Sequence, residues 1–149
     1  MIKRSEMQKV ASEYTNPRIG VLGSHSALEI MDGAKDEGIE TIVFCQKGRE
    51  VPYQRFSRIA DQIKIVNKFK DMANSTNQTL LRDTNTLIVP HRSLTAYLGY
   101  DVLENKLKVP IFGNRKLFQA EERENKKNQY YLLKKAGIKY PKIFENPKS

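Results

Sequence analysis

The sequence predicts an α/β domain built on an open, mostly parallel sheet with helices on both faces. Three observations predict it. Short apolar runs at Ile19–Leu22, Glu40–Cys45, Thr86–Val89 and Val109–Phe112 are too short for helices and suit buried strands. Segments with apolar residues at helical spacing fall between such runs, and alternation of this kind implies parallel strands with crossover helices. The chain has 149 residues, 39% hydrophobic and 29% charged, which is the balance and length of one globular domain with its own core.

The elements follow in order. Met7, Val10 and Ala11 share one face of a short helix over Ser5–Tyr14, which Asn16-Pro17 ends. Ile19–Leu22 is the first strand. Gly23-Ser24-His25 breaks it, and Ala27, Leu28, Ile30, Met31 and Ala34 then recur at helical spacing. Ser26 stands three residues before Glu29, the spacing of a capping box. This helix runs to about Asp36, with Gly33 a weak point and Gly38 placed to stop it. Glu40–Cys45 is the second strand, followed by the polar loop Gln46-Lys47-Gly48-Arg49. Val51–Phe56 reads as irregular, broken by Pro52. Ile59–Val66 reads as a strand, with Ile63 and Ile65 alternating with Gln62 and Lys64. Phe69–Arg82 is mixed, helical near Gln78–Arg82. Thr86–Val89 is a short buried strand, and Pro90-His91-Arg92-Ser93 leads into a helical pattern over Leu94–Leu98. A further helical piece covers Val102–Leu107, and Val109–Phe112 is the last strand. Leu117–Lys135 is helical in composition until Ala136-Gly137 stops it and Pro141 blocks resumption. No internal repeat or low-complexity segment interrupts this order.

Composition narrows the function classes. The single cysteine, Cys45, excludes an intrachain disulfide and agrees with a reducing compartment. No run of 18 apolar residues exists, and the N-terminal residues carry no secretory apolar stretch, so a cytoplasmic protein with no membrane association is expected. The net charge of +9 points to an anionic partner. Ten Lys/Arg against four Glu fall in Arg115–Ser149, so most of the excess lies in the last quarter of the chain. There the basic residues alternate with Glu121, Glu122 and Glu124, as on a solvated helix face, and a nucleic-acid partner is not expected.

The chemistry gathers at the predicted strand ends. Gly23-Ser24-His25, Gln46-Lys47-Gly48-Arg49, Pro90-His91-Arg92-Ser93 and Gly113-Asn114-Arg115 would line one edge of a parallel sheet, where ligands of such folds bind. Both histidines of the chain fall in these loops. Lys47, Arg49, Arg92 and Arg115 supply cations, and Ser24, Ser26 and Ser93 supply hydroxyls, a set suited to a phosphorylated polar small molecule. The N-terminus of the helix after Ser26 adds unpaired N–H groups. Neither G-x-G-x-x-G nor G-x-x-x-x-G-K-[ST] occurs, which removes the dinucleotide fingerprint and the P-loop. Two histidines without clustered cysteines or carboxylates do not make a zinc site, and no metal site is expected in this chain. Cys45 lacks a C-x-x-C partner and reads as a buried apolar residue.

Four of these stretches stand in the order and spacing of one family. They are Leu22–Leu28, Lys47–Phe56, Ile88–Ser93 and Val109–Arg115. The chain resembles, from about Ile19 to Pro147, the N-terminal region of the archaeal-type formate-dependent AICAR ligases (5-formaminoimidazole-4-carboxamide ribonucleotide synthetases) of the ATP-grasp superfamily. The resemblance implies a Rossmann-like pre-ATP-grasp domain over 1–125 and, over 126–149, the start of a linker into an ATP-grasp domain that is otherwise absent. It implies an ATP- and formate-dependent reaction in purine (IMP) biosynthesis that formylates the 5-amino group of AICAR to give FAICAR. His25 and Ser93 match positions that contact AICAR in that family. Ser24, Ser26, Lys47, Arg49, His91 and Arg115 are the remaining candidates for that site, from their strand-end loops. Arg92 departs from the small residue expected between His91 and Ser93. ATP and Mg²⁺ are implied for the complete enzyme, neither bound tightly by this chain alone, and the catalytic residues are not assigned. The ATP-grasp portion would join in cis or in trans, in an enzyme expected to be a homo-oligomer. The alternative is a stand-alone, non-enzymatic purine-ribonucleotide-binding or regulatory protein.

Overall fold

The computed structural model describes residues 1–122, 124–142 and 144. They form two compact units, Met1–Arg115 and a second beginning at Lys116. Of the stretch expected to be linker, 126–149, residues 126–142 and 144 fall in the second unit; residues 143 and 145–149, Pro147 among them, lie outside the described residues.

The first unit is a four-stranded parallel sheet in the order β3-β2-β1-β4, with β1 Arg18–Leu22, β2 Thr41–Gln46, β3 Gln62–Val66 and β4 Thr86–Ile88. Successive side chains alternate between the faces. Val21, Val43 and Cys45 are buried on one face with Ala27 and Met31 of α2 (Ala27–Asp36), Tyr53 of α3 (Val51–Arg55), and Ile59 and Ala60. Leu22, Ile42 and Phe44 therefore face the other way. The buried Phe69 and Met72 of a 3-10 turn, Leu81 of α4 (Ser75–Asp83) and Leu94 and Leu98 of α5 (Arg92–Leu98) complete the core. The first helix, α1, spans Arg4–Ser12, and Ile2 before it donates its N–H to Glu104 O at 2.8 Å. Gly20 of β1 lies where a Cβ would come within 2.4 Å of Thr86 Cγ2, so β4 can approach β1 only because the side chain is missing.

The structure corrects several boundaries. Ile59 and Ala60 pack as core but precede β3. The Asp61 carboxylate accepts the Thr41 N–H at 2.8 Å and pairs with Lys35, which holds 59–61 as a turn. Val51–Arg55 is a helix, because Pro52 falls in its first turn, where the missing N–H costs nothing. α4 begins earlier than its apolar pattern, at Ser75, because the Asn74 side chain accepts the Asn77 N–H at 2.8 Å. Val102–Lys106 winds as a π-helix. The expected last strand shrinks to a single bridge, Ile88 to Ile111, since Pro110 has no N–H to extend the ladder.

In the second unit, the expected long helix is two pieces. A 3-10 segment covers Arg115–Glu121, and α6 covers Gln129–Lys135. Asn128 restarts the helix by accepting the Tyr131 N–H at 3.1 Å. Gly137 and Ile138 donate their N–H groups to Lys134 O and Leu133 O and close it. Tyr130 and Tyr140 meet edge to face with centroids 5.7 Å apart.

Candidate functional site

The chain runs from β1 outward to β2 and β3, then returns to place β4 on the other side of β1. The direction of winding thus reverses between β1 and β4. In open α/β sheets the crevice beyond such a reversal is where ligands bind. The loops that flank it are those after β1 and β4, and they hold both histidines.

The β1 loop is tightly folded. Gly23 donates its N–H to Phe44 O and Ser24 donates to Leu22 O, each at 2.7 Å. A Cβ on Gly23 would stand 3.0 Å from Phe44 O and 3.1 Å from Tyr53 Cε2, so glycine is what lets the turn settle onto β2 and α3. His25 takes φ 47°, in the left-handed region, and its ring is exposed. The capping box expected from Ser26 and Glu29 does not form. The Ser26 hydroxyl instead lies 2.8 Å from His25 Nδ1, and no side chain caps α2. Ser26 therefore orients the imidazole rather than the helix.

His91, after β4, reaches across the reversal. Its Nδ1 accepts the Ser93 N–H at 3.3 Å, which leaves the ring proton on Nε2, 2.9 Å from Leu22 O. Burial pushes its pKa below 6.5, and the nearby His25 acts in the same direction; the bond to Leu22 only partly offsets them. Both ring nitrogens are spent, so a neutral His91 fastens the β4 loop to the end of β1. Ser93 is 8% exposed and donates its hydroxyl to Ser24 Oγ at 3.3 Å. Ser24 then retains its own proton for a ligand. Ser24 and Ser93 thus meet across the reversal, His25 follows Ser24 in the same turn, and His91 fastens the two loops.

The β2 loop contributes a second group. Arg49 Nη1 donates to Tyr97 Oη at 3.3 Å, and its guanidinium carbon lies 5.6 Å from the centroid of Phe69. Phe69 and Tyr97 are themselves tilted against each other at 4.5 Å. The exposed Arg49 is thus aimed by residues from the segments after β3 and β4. Lys47 is exposed beside it. Arg115 is not gathered with these groups: its guanidinium is half-buried and donates to the carbonyls of Leu103, Leu107 and Val109, where burial brings its pKa down to about 10.

Two residues outside the sequence-derived set lie at the same turn. Glu29, in the first turn of α2, is close enough to His91 and Tyr53 to bias the titration of both. Tyr53 packs its ring edge under Gly23. The signal for Tyr53 was present: Pro52 at a helix start would have placed it on an inward face of α3. Cys45 is buried on the same face, and burial raises its thiol pKa to about 11, so it is a packing residue. Among the described residues no three His, Cys, Asp or Glu side chains converge. No described helix is long and apolar enough to cross a membrane.

Residues 19–144 match the model of a family described as a protein of unknown function (DUF1246). The chain belongs to this family. Relatives carry a functional name. The chain is 44% identical over 149 residues to the 5-formaminoimidazole-4-carboxamide-1-(beta)-D-ribofuranosyl 5'-monophosphate synthetase of Methanopyrus kandleri, covering 99% of this chain and 41% of the relative. It is 44% identical over 148 residues to the synthetase of the same name from Methanothermobacter thermautotrophicus, covering 98% of this chain and 40% of that one. The crystal structure of an IMP biosynthesis protein PurP from Thermococcus kodakaraensis superposes with a TM-score of 0.67 at 28% identity, over 87% of this chain and 40% of that one. The chain thus spans about two fifths of the length of the relatives it matches.

Proposed function

We propose that this chain is the AICAR-binding N-terminal domain of an ATP- and formate-dependent ligase that makes FAICAR. The observation that carries the reading is the meeting of Ser24 and Ser93, with His25 next in the turn, at the reversal between β1 and β4, in a family whose named relatives are the synthetases of that product. In this reading His25 and Ser93 hold AICAR, Ser24 donates its free proton, and Arg49 and Lys47 supply positive charge for the phosphate. Ser26 fixes the imidazole of His25, and His91 fixes the loop.

The implied chemistry transfers the ATP γ-phosphoryl group to a formate oxygen, giving formyl phosphate and ADP. The 5-amino nitrogen of AICAR then attacks the formyl carbon, expelling inorganic phosphate and losing a proton. This domain's share is to bind and orient the nucleotide. The groups that handle ATP, formate and magnesium belong to the ATP-grasp portion, in cis or in trans.

The test is calorimetric titration of AICAR into the chain, with AMP and ATP as controls. Selective AICAR binding is expected, and His25→Ala and Ser93→Ala should each lose about 1–3 kcal/mol of it. Equal affinity for AMP, or unchanged affinity in both variants, would overturn the assignment.

A further inference from the structure

Tyr53 is 5% exposed, and among the described residues its hydroxyl has no hydrogen-bond partner. Among those residues the buried side-chain polar atoms without a partner are Tyr14 Oη and Arg18 Nε, so the Tyr53 oxygen, which also lacks one, is open to solvent at its tip. A ring buried to this degree with a solvent-open O–H offers that donor to water or to a ligand. The ring is fixed on both sides. It packs in the core with Val43, Cys45 and Met31, and its Cε2 edge lies 3.1 Å from where a Gly23 Cβ would be. The carbon next to the one bearing the hydroxyl therefore sits under the β1 turn, at the carboxyl edge of the sheet. The charged groups near enough to influence the ring are Arg49 of the β2 loop and Glu29 of α2.

We propose that Tyr53 is a further ligand-binding residue of this site, its hydroxyl donating a hydrogen bond to an oxygen of the bound nucleotide. The proposal rests on the reading of the β1–β4 crevice as the AICAR site. Burial raises the phenol pKa to about 12, so the group stays a neutral donor throughout the working pH range. An anionic or carbonyl oxygen completes a pair that the protein leaves open, and the absence of a Cβ at Gly23 keeps the ring edge close beneath the turn. The acceptor is a phosphate oxygen or a ribose or carboxamide oxygen of the same ligand, and fragments separate the two.

Tyr53→Phe keeps the ring and removes only the donor. Titrated with AICAR, it should bind roughly five- to tenfold more weakly than the unaltered chain, with its melting temperature unchanged. Repeating the comparison with ribose 5-phosphate and with the unphosphorylated AICA riboside locates the acceptor on whichever fragment loses affinity. His25→Ala runs alongside. If His25→Ala loses affinity and Tyr53→Phe keeps it for all three ligands, the Tyr53 proposal is wrong and the site stands. If the unaltered chain does not bind AICAR, or both variants bind as the unaltered chain does, the site reading falls and Tyr53 falls with it.

Discussion

At the scale of single residues, the two histidines divide their work by environment. His25 is exposed on a left-handed turn, whereas His91 is half-buried with both nitrogens engaged. Protonating His91 would cost its bond from the Ser93 N–H. Its native pKa lies below the 6.5 of the unfolded chain. Between those two values the unfolded state binds more protons than the native state, so stability rises with pH through that window. Its contribution is full above 6.5 and is lost as pH falls toward the native value. Melting curves recorded from pH 7.5 downward should show a decline beginning near pH 6.5 that His91→Gln flattens; a decline of equal size in the variant would assign it to other groups. The sequence displays both histidines at strand ends but does not separate the exposed ring from the fastener. That distinction depends on Leu22 O and on the Ser93 N–H, which chain folding brings to one ring.

At the scale of elements, what was legible followed from how strongly each face is buried. β1, β2 and β4 are apolar runs lodged in the middle or at the covered side of the sheet, and their sequences say so. The edge strand β3 shows by alternation, yet the apolar pattern starts before the strand because Ile59 and Ala60 are core residues on a turn that Asp61 ties to Thr41. α3 is hard to see in the sequence because Pro52 breaks a helix interior but is accommodated in a first turn. Arg115 is the clearest divergence between a residue's type and its use. A cation in a strand-end loop suggests a ligand grip, but this one closes the π-helix and the bridge residues by satisfying three carbonyls. Arg115→Met should therefore destabilise the fold by about 1–3 kcal/mol, through carbonyls left without a donor. The AICAR affinity of the variant's folded fraction should stay within about twofold of the unaltered chain's, a change too small for a lost charged hydrogen bond. Chemical denaturation gives the first number and titration below the melting point gives the second; a large loss of affinity with unchanged stability would return Arg115 to the ligand site.

At the scale of the whole molecule, charge and chemistry are segregated along the chain. Every candidate site residue, from Ser24 to Arg115, lies in the first compact unit, and among the described residues the buried hydrophobic ones end at Val109. Most of the excess positive charge lies beyond them, in a stretch whose α6 buries no residue. A unit that holds this buried core and all the candidate site residues should fold and bind without the remainder. A chain ending at residue 122 should accordingly melt cooperatively and bind AICAR with an affinity within about twofold of the full chain, since loss of one hydrogen bond to a charged ligand would exceed that change. Removing the basic stretch should also lower any salt-sensitive, non-selective attraction to polyanions, which scales with the number of cations engaged. Selective AICAR binding and general polyanion retention would then separate in one pair of proteins. If AICAR affinity instead fell together with polyanion retention, the nucleotide would be held by the charge of the second unit rather than by the crevice between β1 and β4.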